Sequence, residues 1–154
     1  MKKALITGIT GQDGYYLTKL LLKKGYQVHG IKRRTSLINT QRIDEFFNDK
    51  NLHDKRFTLY HGDMTDSSSL IGILNKVKPN EIYNLSGQTS VGLSFEEPVE
   101  CLESISSATL TILKAIRYFD KNIRFFNAGS TDCFGDTGNK AAMETTPFGP
   151  TSPY

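Results

Sequence analysis

Short apolar runs alternate along the chain with longer segments in which apolar residues recur every three or four positions. The short runs are bounded by glycine, proline or polar residues, a pattern that is typical of strands buried in a parallel sheet. They predict five strands, at Ala4–Ile6, Gln27–Ile31, Phe57–Tyr60, Glu81–Leu85 and Arg124–Asn127.

The longer segments predict helices between these strands. The first helix is expected from Gly14 to about Lys24, because Gly25 is a favourable residue at a helix C-terminus. The third is expected to begin after Asp66, whose side chain can cap a helix N-terminus, and the fourth at Pro98. The second helix is expected within Thr35–Asp54, with the apolar anchors Ile43, Phe46 and Phe47. The anchors of the third helix are Leu70, Ile73, Leu74 and Val77, and those of the fourth are Leu102, Ile105, Leu113 and Ile116.

The alternation of five strands with helices predicts a doubly wound parallel α/β sheet of the Rossmann type. Residues 1–154 are expected to form one domain, and the Gly-, Thr- and Pro-rich stretch Gly135–Thr151 is expected to be loop. We expect the sheet to lack its last strand or strands, which would leave an open edge.

A turn with three glycines connects the first predicted strand to the first predicted helix. Gly8 permits a tight turn, Gly11 lets the main chain approach phosphates, and Gly14 lets the helix pack closely. The N-terminus of the helix can then bind an anion. An ordinary turn is the alternative, but the strand before it and the helix after it favour a dinucleotide site.

The basic run Lys32–Arg34 follows the second predicted strand. An acidic residue at this position would bind the adenosine ribose of NAD, and none is present. Guanidinium groups match the 2′-phosphate of NADP in charge and geometry, so the sequence favours NADP over a solvated basic loop.

Polar residues follow the third, fourth and fifth strands. Asp63 could bond the adenine amino group beneath Met64, or it could be an ordinary turn residue. The small residues of Ser86–Ser90 would let a nicotinamide ribose approach. Ser130 and Asp132 follow the fifth strand and form a plausible hydrogen-bonding and proton-transfer pair, although such residues populate most turns.

The charge, the apolar runs and the cysteines of the chain argue against several classes of protein. The formal net charge is +3, and the only dense basic run lies beside the predicted nucleotide pocket, so we expect no nucleic acid partner. No apolar run is long enough for a membrane span, and we see no signal-peptide pattern. Cys101 and Cys133 lie far apart and are expected to be free thiols in a cytoplasmic protein without a metal site.

Six stretches, taken together, are similar to one known family. They are Gly8–Gly14, His29–Arg34, Gly62–Ser68, Tyr83–Leu85, Ser94–Pro98, and Glu144–Phe148 with Ser152–Tyr154. They resemble the GDP-mannose 4,6-dehydratases, which are extended short-chain dehydrogenases/reductases. The resemblance covers essentially the whole chain, and Thr7–Gly14 with Gly30–Arg34 is its most specific part.

The resemblance implies an activity on a nucleotide sugar, GDP-mannose, with NADP as cofactor. The sugar is oxidised at C4 by hydride transfer, a base removes the C5 proton, water leaves from C6, and the hydride returns to C6. By resemblance, Ser130 bonds the C4 oxygen, Asp132 is the acid/base at C5 and C6, and Tyr154 is the base for the C4 hydroxyl. The implied cofactor contacts are Gly8, Ile9, Thr10, Gly11, Gln12, Asp13, Gly14, Arg33, Arg34, Asp63, Met64, Leu85, Ser86, Gly87, Gln88 and Thr89.

The sequence departs from the family pattern at two places. Asp132 stands where the family has Glu, a shortening of roughly 1 Å that can cost about 10²-fold in rate. The chain ends at Tyr154, four residues before the family's Lys, so we expect an N-terminal portion that is nearly inactive alone. The full-length form is expected to be a homo-oligomer.

Two other readings stay open. The chain could belong to a nucleotide-sugar epimerase or a 4-keto-6-deoxymannose reductase, neither of which needs the carboxylate of Asp132. It could also be a non-catalytic NADP-binding module.

Overall fold

Five strands form a single sheet in which every pair of neighbours is parallel. The computed structural model describes residues 1–154, and the strands lie in the order β3-β2-β1-β4-β5. They are β1 (Lys3–Thr7), β2 (Gln27–Lys32), β3 (Phe57–His61), β4 (Glu81–Asn84) and β5 (Arg124–Asn127). This order confirms the predicted doubly wound α/β fold, with its change of winding direction between β1 and β4.

Helices connect the strands on both faces of the sheet. They are α1 (Gln12–Lys23), α2 (Asp44–Asn48), α3 (Ser67–Val77), α4 (Val91–Glu96), α5 (Pro98–Leu102) and α6 (Ala108–Phe119). A π-helical turn at Glu103–Ser107 joins α5 to α6, so the helix predicted from Pro98 is continuous to Phe119. A short 3₁₀ turn, Thr131–Phe134, follows β5. No helix has both the length and the apolar character that a membrane span requires.

Two apolar clusters form the core, one on each face of the sheet. Alternate side chains of a strand point to opposite faces, so Ala4 and Ile6 of β1 belong to one cluster and Leu5 to the other. The first cluster also contains Leu21, Leu22, Ile43 and Phe46, and the second contains Leu70, Ile73, Leu74, Val77, Ile112 and Ala115. The predicted anchors of α3, and Ile43 and Phe46, are confirmed as core residues. The predicted anchors Phe47, Leu102 and Leu113 are instead 42%, 59% and 45% exposed, and α6 buries Ile112 and Ala115 in the second cluster.

The helix ends agree with the predicted capping residues in two cases. Gly25 follows α1 with a φ of +83°, and the Asp66 carboxylate accepts main-chain hydrogen bonds from Ser68 and Ser69 at 3.0 and 3.3 Å. The hydrogen bond from the Ser68 hydroxyl, followed by the main-chain bonds, lowers the pKa of the Asp66 carboxyl. A charged N-cap of this kind stabilises the first turn of α3.

Other predicted boundaries need correction. Helix α1 begins at Gln12 rather than at Gly14, because Gly11 already occupies the N-cap position. Only Asp44–Asn48 is helical within the stretch from Thr35 to Asp54. Helix α4 was not predicted, since a segment of six residues is too short for a helical period to repeat; the Ser90 hydroxyl caps it by accepting the Leu93 N–H at 3.2 Å. The two edge strands of the sheet are β3 and β5, and Phe126 of β5 is 54% exposed.

Replacing Gly14 by Ala tests the close packing of α1 on the glycine turn. A Cβ on Gly14 would lie 2.6 Å from the Gly8 carbonyl oxygen and 2.6 Å from the Ile9 Cα, both main-chain atoms that cannot move aside cheaply. We expect Gly14→Ala to lower the free energy of unfolding of the full-length protein by about 1–3 kcal/mol in urea denaturation.

Gly72→Ala in α3 is the matched control. A Cβ on Gly72 would meet no atom within 4 Å, so the higher helix propensity of alanine should raise stability by about 0.5–1 kcal/mol. Equal effects of the two substitutions would contradict the packing role of Gly14.

Candidate functional site

The glycine turn lies at the carboxyl end of β1, against the carboxyl end of β4. Gly8 has a φ of +66°, and a Cβ there would lie 2.7 Å from the Leu85 carbonyl oxygen. Gly11 is the N-cap of α1 and has no side chain to bond the first N–H groups of the helix. These N–H groups therefore face the turn without a side-chain acceptor, an arrangement that suits an anionic ligand.

A buried polar network joins the carboxyl ends of β1, β4 and β5 beneath this turn. The Thr7 hydroxyl donates to the Asn84 side-chain carbonyl at 2.6 Å, and it accepts the N–H groups of Leu85 and Ser86 at 3.1 and 3.3 Å. The Ser86 hydroxyl donates to the Thr7 hydroxyl oxygen at 2.8 Å. The Asn84 amide donates to the Asn127 side-chain carbonyl at 2.7 Å, which connects β4 to β5. The network fixes the chain where it leaves the sheet.

A cleft of about 600 Å³ opens at this edge of the sheet. The glycine turn, the ends of β2 and β3, the segment after β4, and helices α4 and α5 supply its walls. Sequence-predicted cofactor residues in the walls are Gly8, Thr10, Gly11, Arg33, Asp63, Met64, Leu85, Ser86, Gly87, Gln88 and Thr89. Thus residues that are far apart in the chain converge where a doubly wound fold binds its ligand.

Other predicted cofactor residues lie outside the cleft walls. Ile9 is fully buried in the first core cluster and packs over Gly30. Gln12 and Asp13 occupy the first turn of α1, and Gly14 packs against the glycine turn itself. Arg34 is exposed and does not line the cleft, unlike its neighbour Arg33.

The sequence analysis missed part of the cleft. Lys32 and Ser90, which belong to the predicted stretches Lys32–Arg34 and Ser86–Ser90, also line the cleft. The lining residues that were not predicted are Ile31, Asn39, Gly62, Thr65, Leu93, Glu97, Glu100 and Ser104. Two buried polar atoms of the lining, Nε2 of Gln88 and Oε2 of Glu100, have no hydrogen-bond partner within the chain. A donor and an acceptor in this state are suited to a polar ligand, since buried polar groups are normally paired. Glu100 lies in the first turn of α5. An acidic residue is common at such a position, so the sequence alone does not mark Glu100 as a ligand-binding residue.

The predicted catalytic residues lie outside the walls of this cleft. Ser130 precedes the 3₁₀ turn after β5, and its hydroxyl accepts the Asp132 N–H at 3.1 Å, so this bond involves the main chain of Asp132 and leaves its carboxylate exposed. The Tyr154 N–H donates to the hydroxyl of Ser94 at 3.3 Å, which attaches Tyr154 to α4. Ser130 and Asp132 therefore share one short turn, while Tyr154 reaches the neighbourhood of the cleft through a different element.

The strand order, the glycine turn and the cleft at the switch point define a Rossmann-fold protein of the nucleotide-binding type. Solved structures share this fold at low sequence identity. The UDP-Glc/GlcNAc 4-epimerase from Campylobacter jejuni matches all of this chain and 45% of its own, with a TM-score of 0.84 and 17% identity. The UDP-glucose 4-epimerase from Brucella ovis, solved in complex with NAD, matches all of this chain and 43% of its own, with a TM-score of 0.81 and 20% identity.

Sequence comparison identifies the family. The model of the GDP-mannose 4,6 dehydratase family matches residues 5–154, and the chain belongs to this family. The GDP-mannose 4,6-dehydratase of Vibrio cholerae is 49% identical over 99% of this chain and 42% of its own length. The enzyme of Drosophila melanogaster is 51% identical over 99% of this chain and 40% of its own. The chain therefore spans less than half the length of these curated relatives.

Replacing Thr7 by Val tests the polar network under the cleft. Valine keeps the shape of threonine but leaves the N–H groups of Leu85 and Ser86 without their acceptor. We expect the free energy of unfolding to fall by about 1–3 kcal/mol, the usual effect of leaving buried polar groups unpaired.

Thr58→Val is the control, because Thr58 is half-buried in β3 and lies outside this network. Urea denaturation of both variants in the full-length protein gives the comparison. A Thr7→Val protein as stable as the Thr58→Val protein would refute the role of the network.

Proposed function

We propose that this chain is the N-terminal, cofactor-binding part of an NADP-dependent GDP-mannose 4,6-dehydratase. The observation that carries the proposal is the family match over residues 5–154, with 45–51% identity to dehydratases from bacteria, an insect and a plant. The proposed overall activity converts GDP-mannose to GDP-4-keto-6-deoxymannose with net loss of water. Because the chain spans about 42% of its relatives, we propose that it is nearly inactive alone.

The residues of the cleft fit a dinucleotide phosphate. The glycine turn forms a cradle that a Cβ at Gly8 would fill, and the free N–H groups at the start of α1 suit the pyrophosphate. Arg33 lines the cleft at the end of β2, where NAD-binding proteins of this fold place an acid. This charge supports NADP as the cofactor, with Asp63 and Met64 at the adenine and Leu85–Thr89 along the nicotinamide side.

The proposed chemistry needs two proton-transfer groups from this chain. When bound, NADP would accept a hydride from C4 of the sugar and return it to C6. Tyr154 would take the proton of the C4 hydroxyl, and Ser130 would hold the C4 oxygen by a hydrogen bond. Asp132 would take the C5 proton and give it to the C6 hydroxyl that leaves as water. As the hydride returns to C6, the proton held on Tyr154 would return to C5, so both groups regain their starting protonation states.

The free thiols and the exposed apolar residues support two further parts of the proposal. Cys101 and Cys133 are unpaired, as is usual in the reducing cytoplasm. Val99 and Leu102 of α5 and Leu110 of α6 are 66%, 59% and 53% exposed, an apolar surface that suits association of the full-length chain into a homo-oligomer.

The alternative readings have less support. The epimerases that share the fold are 17–20% identical to the chain, a level at which only the fold is comparable. No residue of the cleft favours epimerisation over dehydration. Measuring the dehydratase activity of the full-length protein and of its Asp132→Asn variant distinguishes a dehydratase from a non-catalytic NADP-binding module.

Asp132→Asn in the full-length protein tests the dehydratase chemistry. The substitution keeps the size of the side chain and removes its basicity, so we expect kcat for the 4-keto-6-deoxy product to fall by about 10²–10⁴-fold. The exchange of the C5 hydrogen for solvent deuterium should fall with it, while GDP-mannose binding changes little.

Asp136→Asn is the matched control, because Asp136 is an exposed carboxylate that caps a neighbouring turn through the Gly138 N–H. It should leave kcat unchanged. Unaltered product formation by the Asp132→Asn protein would exclude Asp132 as the base, and wild-type conversion without loss of water would exclude the dehydratase itself.

A further inference from the structure

Two segments of the chain cross at the turn that carries Ser130 and Asp132. A Cβ on Gly135 would overlap the carbonyl oxygen of Gly149 and lie 3.0 Å from its carbonyl carbon, so the two main chains are in direct contact. Gly135 also has a φ of +63°, a conformation that favours glycine. The Gly149 N–H donates to the Cys133 carbonyl at 3.0 Å. The turn after β5 is therefore attached to a later segment for which the sequence analysis predicted only a loop.

Two aromatic rings flank this crossing. The ring centroids of Phe134 and Phe148 lie 5.4 Å apart at an interplanar angle of 51°, and each ring comes one residue before one of the two glycines. Tilted aromatic pairs of this kind attract each other beyond the effect of the area that they bury. The packed main chains, the hydrogen bond and the rings together hold Gly149 against the turn.

The residues Gly149–Tyr154 form a short strap that is fixed at both ends. Its first residue is held at the crossing, and the N–H of its last residue donates to the Ser94 hydroxyl at 3.3 Å. Ser94 is fully buried, so α4 gives this end a firm anchor. The strap contains Pro150 and Pro153, and a proline fixes its own φ and restricts the residue before it. The strap is therefore a stiff link between the turn after β5 and α4.

We propose that Gly135 is a positioning residue, because its contact with Gly149 sets the placement of Asp132 relative to Tyr154 through the strap. This inference rests on the proposed function of the chain. In that chemistry Tyr154 acts at the C4 hydroxyl and Asp132 acts at C5, so the two groups must meet neighbouring atoms of one sugar. They share no hydrogen bond, and the crossing connects their segments. A displacement of roughly 1 Å at a reacting group can cost about 10²-fold in rate.

Gly135→Ala in the full-length protein tests the crossing. We expect kcat for the 4-keto-6-deoxy product, expressed per site that binds NADP, to fall by about 10–100-fold. Because the crossing is not part of the cleft walls, KM for GDP-mannose and the NADP affinity from isothermal titration calorimetry should change by less than about threefold. A purely structural role would reduce the number of NADP-binding sites and leave kcat per site unchanged, and this result would overturn the inference.

Gly138→Ala is the matched control. Gly138 has a φ of +61°, and a Cβ there would meet no atom within 4 Å, so the substitution introduces a similar backbone strain without the collision. It should change kcat per NADP-binding site by less than about threefold. An equal fall of kcat in the two alanine variants would also overturn the positioning role of Gly135.

Pro150→Gly tests the strap itself and decides the question if the Gly135→Ala protein does not fold. Glycine removes the restriction on φ, so we expect kcat per NADP-binding site to fall by about 3–10-fold with KM unchanged. Pro147→Gly makes the same change before the crossing and should leave kcat unaltered. Equal kcat values for the two proline variants would overturn the inference. A wild-type protein that forms no product from GDP-mannose would instead overturn the proposed dehydratase function.

Discussion

The hydroxyl of Thr7 is the contact on which the candidate site depends. It accepts the two N–H groups of Leu85 and Ser86 and donates to Asn84, so one buried oxygen joins the ends of β1 and β4. Parallel strands in the middle of a sheet end in main-chain groups that have no neighbour in the ladder, and these groups need partners. Thr7 supplies them for Leu85 and Ser86, and Gly8 lies so close to the Leu85 carbonyl that a Cβ there would be 2.7 Å from its oxygen.

The strand order explains why a cleft lies next to this contact. β1 lies at the centre, the chain winds through β2 and β3 on one side and through β4 and β5 on the other, and the two crossovers separate at the carboxyl edge. The walls consequently come from opposite halves of the chain, with Arg33 and Asp63 on one side and Gln88 and Glu100 on the other. Cationic residues lie on the β2 side, and Gln88 and Glu100 provide unpaired polar atoms on the other, so the cleft is chemically asymmetric along its length.

The chemistry attributed to the chain lies beside this cleft rather than in its walls. Ser130 and Asp132 are held by the short turn after β5, and Tyr154 is attached to α4 through Ser94. Ser94 of α4 is fully buried. The same helix contributes Leu93 to the cleft wall and, through the Ser94 hydroxyl, accepts the hydrogen bond from Tyr154.

The sequence alone determined the strands, the fold class, the glycine turn and the family, because these depend on local periodicity, on glycine positions and on contiguous motifs. Only the tertiary structure decided that Arg33 lines the cleft while Arg34 does not, that Ile9 is buried in the core, and that Glu100 and Gln88 line the same cleft. The contact of Gly135 with Gly149 shows the same limit most clearly, since it joins the turn after β5 to a later segment of the chain. The direction of a side chain on a loop follows from packing between remote segments, and no periodicity in the sequence records it.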